Sequence, residues 1–400
     1  MRISTAIIAA VSALALAAPL HAKTIQVSAG DGAQGRLQEA LIAAQPGDLV
    51  ELGAGRFVLT DGLSLDADGV TVRGAGMEAT VLDFSGQQGA GEGLLITSDN
   101  VTVRDFAVEN TRGDGIKSKG ADNIVYYRVR VAWTGGPKET NGAYGIYPVS
   151  SGGVLIDGCK VSGASDAGIY VGQSKAITVR YNMVEQSVAG IEIENSRDAL
   201  VTGNLVTRNT GGILVFDLPN LPVMGGGNTL ITDNLVIAND TPNFAPKGNI
   251  VASVRRGTGI MVMANDLVTV RGNTLANNPT AQIMVIAYPQ TFTDKTYNPL
   301  PRRVLIDANT VIGGGKDPQL PGADRLVASF GGALPAVIWD GRGAQPGVKQ
   351  KMLILSLGVS GPNADVAAAT PSAIVAMPLK SAVAATPLGA PTALNARAVP

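Results

Sequence analysis

Two glutamates, Glu192 and Glu194, alternate with two isoleucines in the segment VAGIEIENSRDA at residues 188–199. In a β-strand, alternate side chains share a face, so the two carboxylates would leave the same side about 6.6–6.8 Å apart at Cα. That spacing suits the acid and base of an inverting glycosidase. Two carboxylates also suit Ca²⁺, which binds several oxygens. The third alternative is a solvated face with no function.

The numbers and positions of the histidine and cysteine residues restrict which catalytic mechanisms, metal sites and disulfides are possible. The one histidine, His21, precedes the predicted mature chain, which excludes an imidazole base, a Ser-His-Asp triad and His-ligated zinc there. The one cysteine, Cys159, allows no internal disulfide and fits a small buried filler. A formal net charge of −1 gives no field that favours nucleic acid or an anionic membrane, so we expect no nucleic-acid partner.

The N-terminus has the pattern of an export signal. Arg2 is followed by an apolar run and by small residues that end in LHA, which predicts a signal peptide over residues 1–22. The apolar run is short and Pro19 interrupts it, which argues against a membrane anchor, and no later segment has the length of a transmembrane helix. We therefore expect an exported protein of the periplasm, the outer surface or the extracellular medium. Its oligomeric state is not predicted.

Two short phrases alternate along the chain. One has an asparagine slot, as in VTGNLV and ITDNLV, and the other has a Gly-Ile pair, as in AGIYV, AGIEI and GGILV. The asparagines of the first phrase are predicted to point inward and to hydrogen-bond along the stack as a ladder of Asn182, Asn204, Asn234, Asn273 and Asn309. Ile169, Ile191 and Ile213 mark successive Gly-Ile phrases, 22 residues apart. A unit this short holds two or three short strands but no βαβ crossover, so the units are predicted to stack as coils of a parallel β-helix.

The pattern divides the chain into five parts. Residues 1–22 are the signal peptide, and residues 23–69 form an N-terminal cap, with a short amphipathic helix and the first strands covering the open end of the stack. Residues 70–340 form the all-β body, and the whole stack has about nine or ten coils. Residues 341–365 are a C-terminal extension, and the Ala/Pro-rich tail at 366–400 is expected to be disordered.

The phrases NGAYGIYPV, GASDAGIYVGQS, VAGIEIENS, NTGGILVFDLP and GTGI together resemble the bacterial parallel β-helix repeat-containing proteins, over most of residues 24–340. The resemblance implies a right-handed parallel β-helix and export, but no established reaction. More distantly, the coils are similar to those of carbohydrate-binding proteins and sugar hydrolases, and of pectate lyases and mannuronan epimerases. This chain lacks the RxPxxR-type motif of pectate lyases and the histidine of polygalacturonases, so the fold transfers better than the reaction.

Extra residues interrupt the repeat at four places, all beside a Gly-Ile strand. They lie between Val129 and Ile146, after Ile213, before Ile260 and after Ile283. Long loops on both edges of one sheet would form the walls of a groove, and functional residues favour such loops. The outward face of the Gly-Ile sheet is therefore the predicted floor.

Two outward positions per strand define that floor. The first reads, coil by coil, Lys117, Tyr147, Tyr170, Glu192, Leu214, Met261, Met284. The second reads Lys119, Val149, Gly172, Glu194, Phe216, Met263, Ile286. The floor is apolar from Leu214 and Phe216 onward, and this apolar half is expected to lie under the loop that ends at Gly257. In the other half, aromatic rings could stack on sugar C–H faces and charges could bind hydroxyls or uronates, so the predicted partner is a polysaccharide or oligosaccharide.

The candidate residues follow from this floor. The catalytic candidates are Glu192, Glu194, Tyr170 and Lys117; the substrate-binding candidates are Lys119, Tyr147, Tyr144, Asp166 and Phe216; the Ca²⁺ candidates are Glu192 and Glu194. A hydrolase would use the two glutamates as acid and base, whereas a lyase or epimerase would need a charge neutraliser and a Tyr or Lys base. The alternative is a noncatalytic glycan-binding or envelope-scaffold protein.

Overall fold

Short parallel strands dominate the computed structural model, which describes residues 22–89, 91–290, 292–343, 346–348, 352–355 and 371–372. The strands assemble into three sheets, and the chain visits them in turn, here called sheets I, II and III, before returning to sheet I one strand further along. This architecture confirms the predicted parallel β-helix. The predicted signal peptide up to His21, and most of the predicted extension and tail, lie outside the described residues.

The bounds of the described elements follow the repeat. Sheet I contains Thr24–Val27, Leu49–Leu52, Thr71–Arg73, Thr102–Arg104, Ile124–Tyr127, Gly152–Asp157, Lys175–Arg180, Arg197–Thr202, Gly227–Thr232, Asp266–Arg271, Leu305–Asp307 and Gly347–Val348. Sheet II contains Gly55–Val58, Thr80–Asp83, Ala107–Glu109, Arg130–Ala132, Lys160–Ser162, Met183–Glu185, Leu205–Thr207, Leu235–Ile237, Thr274–Ala276 and Thr310–Ile312. Sheet III contains Leu63–Leu65, Leu94–Ile96, Ile116–Lys119, Tyr144–Val149, Ala167–Gly172, Ala189–Glu194, Gly211–Phe216, Thr258–Met263, Ala281–Ile286, Val337–Trp339, Met352–Leu355 and Pro371–Ser372. The helices are Ala33–Ala43, Ala323–Ser329 and the 3₁₀ turn Ile250–Ser253.

The Gly-Ile isoleucines form a continuous row inside the stack. Ile169 pairs with Ile191, and Ile191 pairs with Ile213, on neighbouring strands of sheet III. All three side chains are fully buried. Because side chains alternate along a strand, the residue that follows each of these isoleucines faces outward. On that outward face Tyr170 pairs with Glu192, as the repeat predicts.

The glycine before each isoleucine is required by close packing between sheets II and III. A Cβ on Gly190 would lie 2.4 Å from Val206 Cγ1 and 2.7 Å from the carbonyl oxygen of Gly212. A Cβ on Gly168 would likewise lie 2.4 Å from Val184 Cγ1. In the five coils from Gly115 to Gly212, the Gly-Ile phrase therefore marks the place where a sheet II valine touches the backbone of sheet III.

Asparagine ladders hold the turns. In the predicted ladder between sheets I and II, Asn182 Nδ2 donates to Asn204 Oδ1, and Asn204 Nδ2 donates to Asn234 Oδ1, each at 2.9 Å. A second ladder, not predicted, lies between sheets II and III, where Asn209 Nδ2 donates to Asn239 Oδ1 at 3.0 Å. Each side chain satisfies buried polar groups of its neighbours along the stack, and the second ladder fixes the edge where chains enter sheet III.

The N-terminal helix closes one end of the stack. Leu37 and Leu41 of the helix Ala33–Ala43 are buried. The helix contacts the first strand of each sheet, Thr24–Val27, Gly55–Val58 and Leu63–Leu65. Strands of all three sheets are thus present within residues 23–69, so the first full coil lies inside the range assigned to the cap.

The four predicted insertions all adjoin sheet III. Loops 133–143 and 238–257 enter this sheet, and loops 217–226 and 287–304 leave it. A further long connection, 313–336, enters sheet III and contains the helix Ala323–Ser329. It was not predicted because the strand that follows, Val337–Trp339, carries no Gly-Ile phrase to mark the interruption.

Candidate functional site

Loops cover the apolar half of the outward face of sheet III. Leu214, Met261 and Met284 pack there in one hydrophobic cluster with loop side chains such as Val251 and Tyr297. Val251 comes from loop 238–257, the loop that was expected to cover this half. Loop 287–304 and the helix Ala323–Ser329 also contribute to the cluster, and neither contribution was predicted.

Phe216 corrects one sequence-based assignment. It was expected to present its ring to a sugar, but it lies in the same hydrophobic cluster with 6% of its surface exposed. Leu218, two residues further along the chain, packs in the same cluster. Phe216 is thus part of a local core beneath the loops, and its ring is not available as an open stacking surface.

The carboxyl groups on the other half of the face are also buried. Glu192 is 3% exposed, Glu194 6% and Asp166 8%. These three residues are called the acidic cluster below. The alternative of a solvated face is therefore wrong, because solvated carboxylates would not be shielded to this degree. Buried acidic side chains are costly, so a cluster of three needs an explanation other than solubility.

Three tyrosines form a patch beside the acidic cluster. The ring centroids of Tyr144 and Tyr147 are 4.5 Å apart, those of Tyr144 and Tyr170 4.6 Å, and those of Tyr147 and Tyr170 4.8 Å. Tyr170 is buried, whereas Tyr144 and Tyr147 are half-buried and so reach the surface. This tyrosine patch supplies both the low-dielectric wall of the acidic cluster and an aromatic surface next to it.

Burial dominates the electrostatics of Glu194. It raises the pKa of this carboxyl to about 7, with a further contribution from the charge of Asp217, while hydrogen bonding from the Tyr170 hydroxyl acts in the opposite direction. Tyr170 therefore approaches Glu194, whereas the sequence placed it next to Glu192 across the strand pair. Burial likewise raises the pKa of the Tyr170 hydroxyl, so it remains a neutral proton donor.

The other two carboxyls shift in the same direction. Burial, followed by the charge of Glu194, raises the pKa of Asp166 to about 7, although hydrogen bonding from Tyr144 opposes the shift. Burial also raises the pKa of Glu192, and the charges of Asp166 and Glu194 add to it. The acidic cluster thus retains protons near neutral pH, the state that a general acid requires.

Lys117 lies at the other end of the tyrosine patch. Its Nζ is 2.9 Å from Glu92 Oε1 and 3.3 Å from Asp114 Oδ2, and it lies 4.6 Å from the ring centroid of Tyr147. Desolvation lowers the pKa of Lys117, but the hydrogen bond to Glu92 and the nearby negative charges outweigh it and keep the ammonium charged. Lys117 is three strand pairings from Glu192, about 14 Å, as the repeat predicts.

Glu92 and Asp114 were not singled out from the sequence. Asp114 stands two residues before Ile116 in the phrase DGIKS, so its proximity to Lys117 was available from the pattern. Glu92 precedes the strand Leu94–Ile96, which pairs with Ile116–Lys119 one coil later. That strand has no Gly-Ile phrase, and the pattern therefore gave no register for Glu92.

Asp217, also missed, anchors the covering loops. Both of its carboxylate oxygens accept the backbone N–H of Gly226 at 2.9 Å, and one accepts Asn265 Nδ2 at 2.8 Å. The Tyr297 hydroxyl donates to the backbone carbonyl oxygen of Asp217 at 2.7 Å. Burial raises the pKa of Asp217 to about 6. Its position immediately after Phe216, where an insertion begins, was the available signal.

The structure therefore brings together most of the predicted residues. Glu192, Glu194, Asp166, Tyr144 and Tyr170 form one group, Tyr147 links it to Lys117, Lys119 is exposed at the edge, and Phe216 is covered.

The calcium alternative needs further ligands, and within the described ranges no group of three or more His, Cys, Asp or Glu side chains is arranged to hold a metal ion. The same ranges contain no helix long and apolar enough to cross a membrane.

The fold defines the class of protein. The family model described as a right handed beta helix region matches residues 68–223 and 141–296, which together cover more than half of the 400-residue chain. The chain belongs to this family of right-handed β-helix proteins. The comparison with curated proteins finds no significant match.

Several solved structures share the architecture at low sequence identity. The mannuronan C-5 epimerase AlgE4 A-module of Azotobacter vinelandii is 14% identical, with a TM-score of 0.53, over 84% of this chain and 96% of the module. The AlgE6 A-module of the same organism is 16% identical, with a TM-score of 0.54, over 84% and 93%. DFA-IIIase from Arthrobacter chlorophenolicus A6 is 13% identical, with a TM-score of 0.51, over 82% and 95%. At these identities the similarity shows the fold alone.

Proposed function

We propose that this protein is exported and processes a polysaccharide by acid–base chemistry on the outward face of sheet III. The observation that carries the proposal is the buried acidic cluster beside a tyrosine patch, on the one sheet that all the predicted insertions border. Carboxyl groups with pKa values near 7 can both donate and accept protons at neutral pH. Aromatic rings beside them provide a surface on which sugar rings can stack.

Among the reactions open to such a site, the geometry favours hydrolysis. Glycoside hydrolysis uses two carboxyl groups, one protonated and one ionised, and the acidic cluster supplies carboxyls that share protons. A lyase or epimerase would need a cation to neutralise a sugar carboxylate. Lys117, one candidate for that role, is already paired with Glu92 and Asp114, whereas Lys119, the other candidate, is exposed at the edge of the sheet. Glu192 and Glu194, the second of which the Tyr170 hydroxyl approaches, are our candidates for the acid and base pair.

The related structures support the proposal only through the architecture. Modules named as mannuronan C-5 epimerases use the same right-handed β-helix. A stack of short coils can thus present a glycan-processing face without a separate catalytic domain.

The test is turnover by the mature chain on a panel of neutral and acidic polysaccharides. New reducing ends would report hydrolysis, absorbance of unsaturated uronates would report a lyase, and proton exchange at C-5 in D₂O would report an epimerase. We expect new reducing ends, and a loss of at least about 100-fold in rate in Glu194→Gln. Glu185→Gln is the matched control, because Glu185 lies in the same coil but on sheet II. Absence of turnover on every substrate would refute the proposal.

A noncatalytic glycan-binding protein is the second candidate, and the burial of the carboxyls favours it. With 3% and 6% of their surfaces exposed, Glu192 and Glu194 would need a shift of the tyrosine patch to touch a sugar. Under this candidate, the wild type would bind glycans without turnover, and Glu194→Gln would bind as tightly as the wild type. Tyr147→Ala would weaken binding in both cases, because the half-buried ring stays accessible.

A further inference from the structure

A second feature lies beside the acidic cluster and is not part of it. An open cleft of about 720 Å³ separates loop 133–143 from loop 238–257. One wall carries Lys138, Glu139 and Thr140, and the other carries Phe244 and Lys247. An aromatic ring together with charged and polar side chains on facing walls is the composition of a small-ligand or glycan site rather than of a packed core.

The topology places this cleft next to the acidic cluster. Loop 133–143 enters the strand Tyr144–Val149, and loop 238–257 enters Thr258–Met263, four strand pairings away, about 19 Å. The three strands between them include Ala189–Glu194. Phe244 from the cleft wall packs in one hydrophobic cluster with Tyr144 and Tyr170. Phe244 thus connects the cleft wall, through this cluster, to the tyrosine patch that borders the acidic cluster.

Unpaired cations face each other across the cleft. Lys138 and Lys247 are both exposed, and neither forms an ion pair with any residue that the structure describes. Two other cations near sheet III are engaged: Lys117 pairs with Glu92, and Arg256 pairs with Asp240 and Asp317. An ammonium group without a protein partner is available to a ligand anion, and these two residues line the cleft from different loops.

We infer that the cleft binds the carboxylates of an acidic polysaccharide, a polymer of uronic acids, through Lys138 and Lys247, with Phe244 against a sugar ring. The inference rests on the proposed function and names its substrate class. Glu139 and Thr140 on one wall could bind the hydroxyls of a neutral or an acidic glycan, whereas a lysine on each wall specifically favours a charged chain. A uronate chain gains a charge contact at each wall and a stacking surface between them.

The experiment compares sugars that differ only in charge. The mature chain is titrated with galacturonate hexamers and mannuronate hexamers, and with their methyl esters, at low and at moderate salt. The acids should bind more tightly than the esters, and salt should weaken only the acids. Lys138→Gln and Lys247→Gln should each weaken acid binding by up to about fivefold, and the double variant by roughly the product. Lys175→Gln, an exposed lysine on sheet I, is the control and should bind as the wild type does.

The outcomes separate the inference from the proposed function. Esters that bind as tightly as the acids, or a double variant that binds the acids unchanged, would overturn the acidic substrate class. If neutral glycans bind and are turned over while uronates do not bind, the proposed function stands and the inference is wrong. If no glycan binds, acidic or neutral, both are wrong.

Discussion

At the scale of single residues, burial governs the chemistry of the site. The same two glutamates on an open strand would be ordinary solvated carboxylates. Beneath the tyrosine patch they lose hydration, and their protonated forms become favoured near neutral pH. Asp166, from the turn before the adjacent strand, joins them and adds its own negative charge. The local environment, more than residue type, makes these groups candidates for proton transfer.

The raised pKa values predict a pH-dependent stability. The pKa of Asp166 is about 7 in the folded protein, against an ordinary value of 3.8, so between these values the folded state binds more protons than the unfolded chain. The free energy of unfolding should therefore fall as pH rises through this window, by up to about 1.4 kcal/mol per pH unit for each such group. Glu194 contributes in the same direction.

Asp166→Asn tests this dependence. The amide is neutral at every pH, and its oxygen can still accept the Tyr144 hydroxyl. We expect a smaller loss of stability than in the wild type between about pH 5 and about pH 8, measured by urea unfolding. Asp61→Asn, at an exposed position, should keep the wild-type slope. Equal slopes for Asp166→Asn and the wild type would show that Asp166 is already ionised in the folded protein.

At the scale of elements, close contact between two sheets explains the strongest sequence signal. The glycines of five Gly-Ile phrases, from Gly115 to Gly212, lie where a sheet II valine meets the sheet III backbone. Sheet III can thus approach sheet II, and the outward residue two positions after this glycine takes a fixed place in the row that contains Tyr170 and Glu192. The motif is a packing device that indirectly sets the register of the site.

Gly190→Ala should be strongly destabilising for that reason. The new methyl group would lie 2.4 Å from Val206 Cγ1, and the strained contact should cost about 1–3 kcal/mol or more in urea unfolding. Gly35→Ala is the matched control, because a Cβ there meets no atom within 4 Å and Gly35 lies in the helix Ala33–Ala43. It should stabilise the protein by about 0.5–1 kcal/mol. A Gly190→Ala variant as stable as the wild type would contradict the packing explanation.

At the scale of the whole molecule, the stack has no disulfide to support it. Cys159 is buried, and each coil contacts mainly its neighbours, so stability depends on nearest-neighbour pairing and on closed ends. An uncovered end would expose unpaired backbone groups and invite association. The N-terminal helix meets this need at one end.

A pair of adjacent substitutions tests the capping role. Leu41 is 2% exposed against the first coil, and Leu41→Ala should cost about 2–5 kcal/mol locally. Faster hydrogen exchange in Thr24–Val27 and self-association in size-exclusion chromatography should follow. Ile42→Ala should change neither property, because Ile42 is 72% exposed. Identical behaviour of the two variants would show that the helix does not protect the end of the stack.

Periodicity made much of this architecture predictable. The repeated Gly-Ile and asparagine phrases determined the parallel stack, the inward isoleucines, the Asn182–Asn204–Asn234 ladder and the order of outward residues from Lys117 to Met284. The same spacing located four insertions beside sheet III. These features are local and recur from coil to coil, so the assignment of each strand is checked by the matching residues of the neighbouring coils.

Only the tertiary structure decided the character of the site. Whether Glu192 and Glu194 are wet or buried depends on the tyrosine patch and on how long loops fold back over sheet III, and those loops have no period to follow. The partners of Lys117 and the anchoring role of Asp217 likewise arise between coils or within insertions. The repeat fixes where a strand residue points, whereas burial, pKa and access are set by non-periodic segments brought together in space.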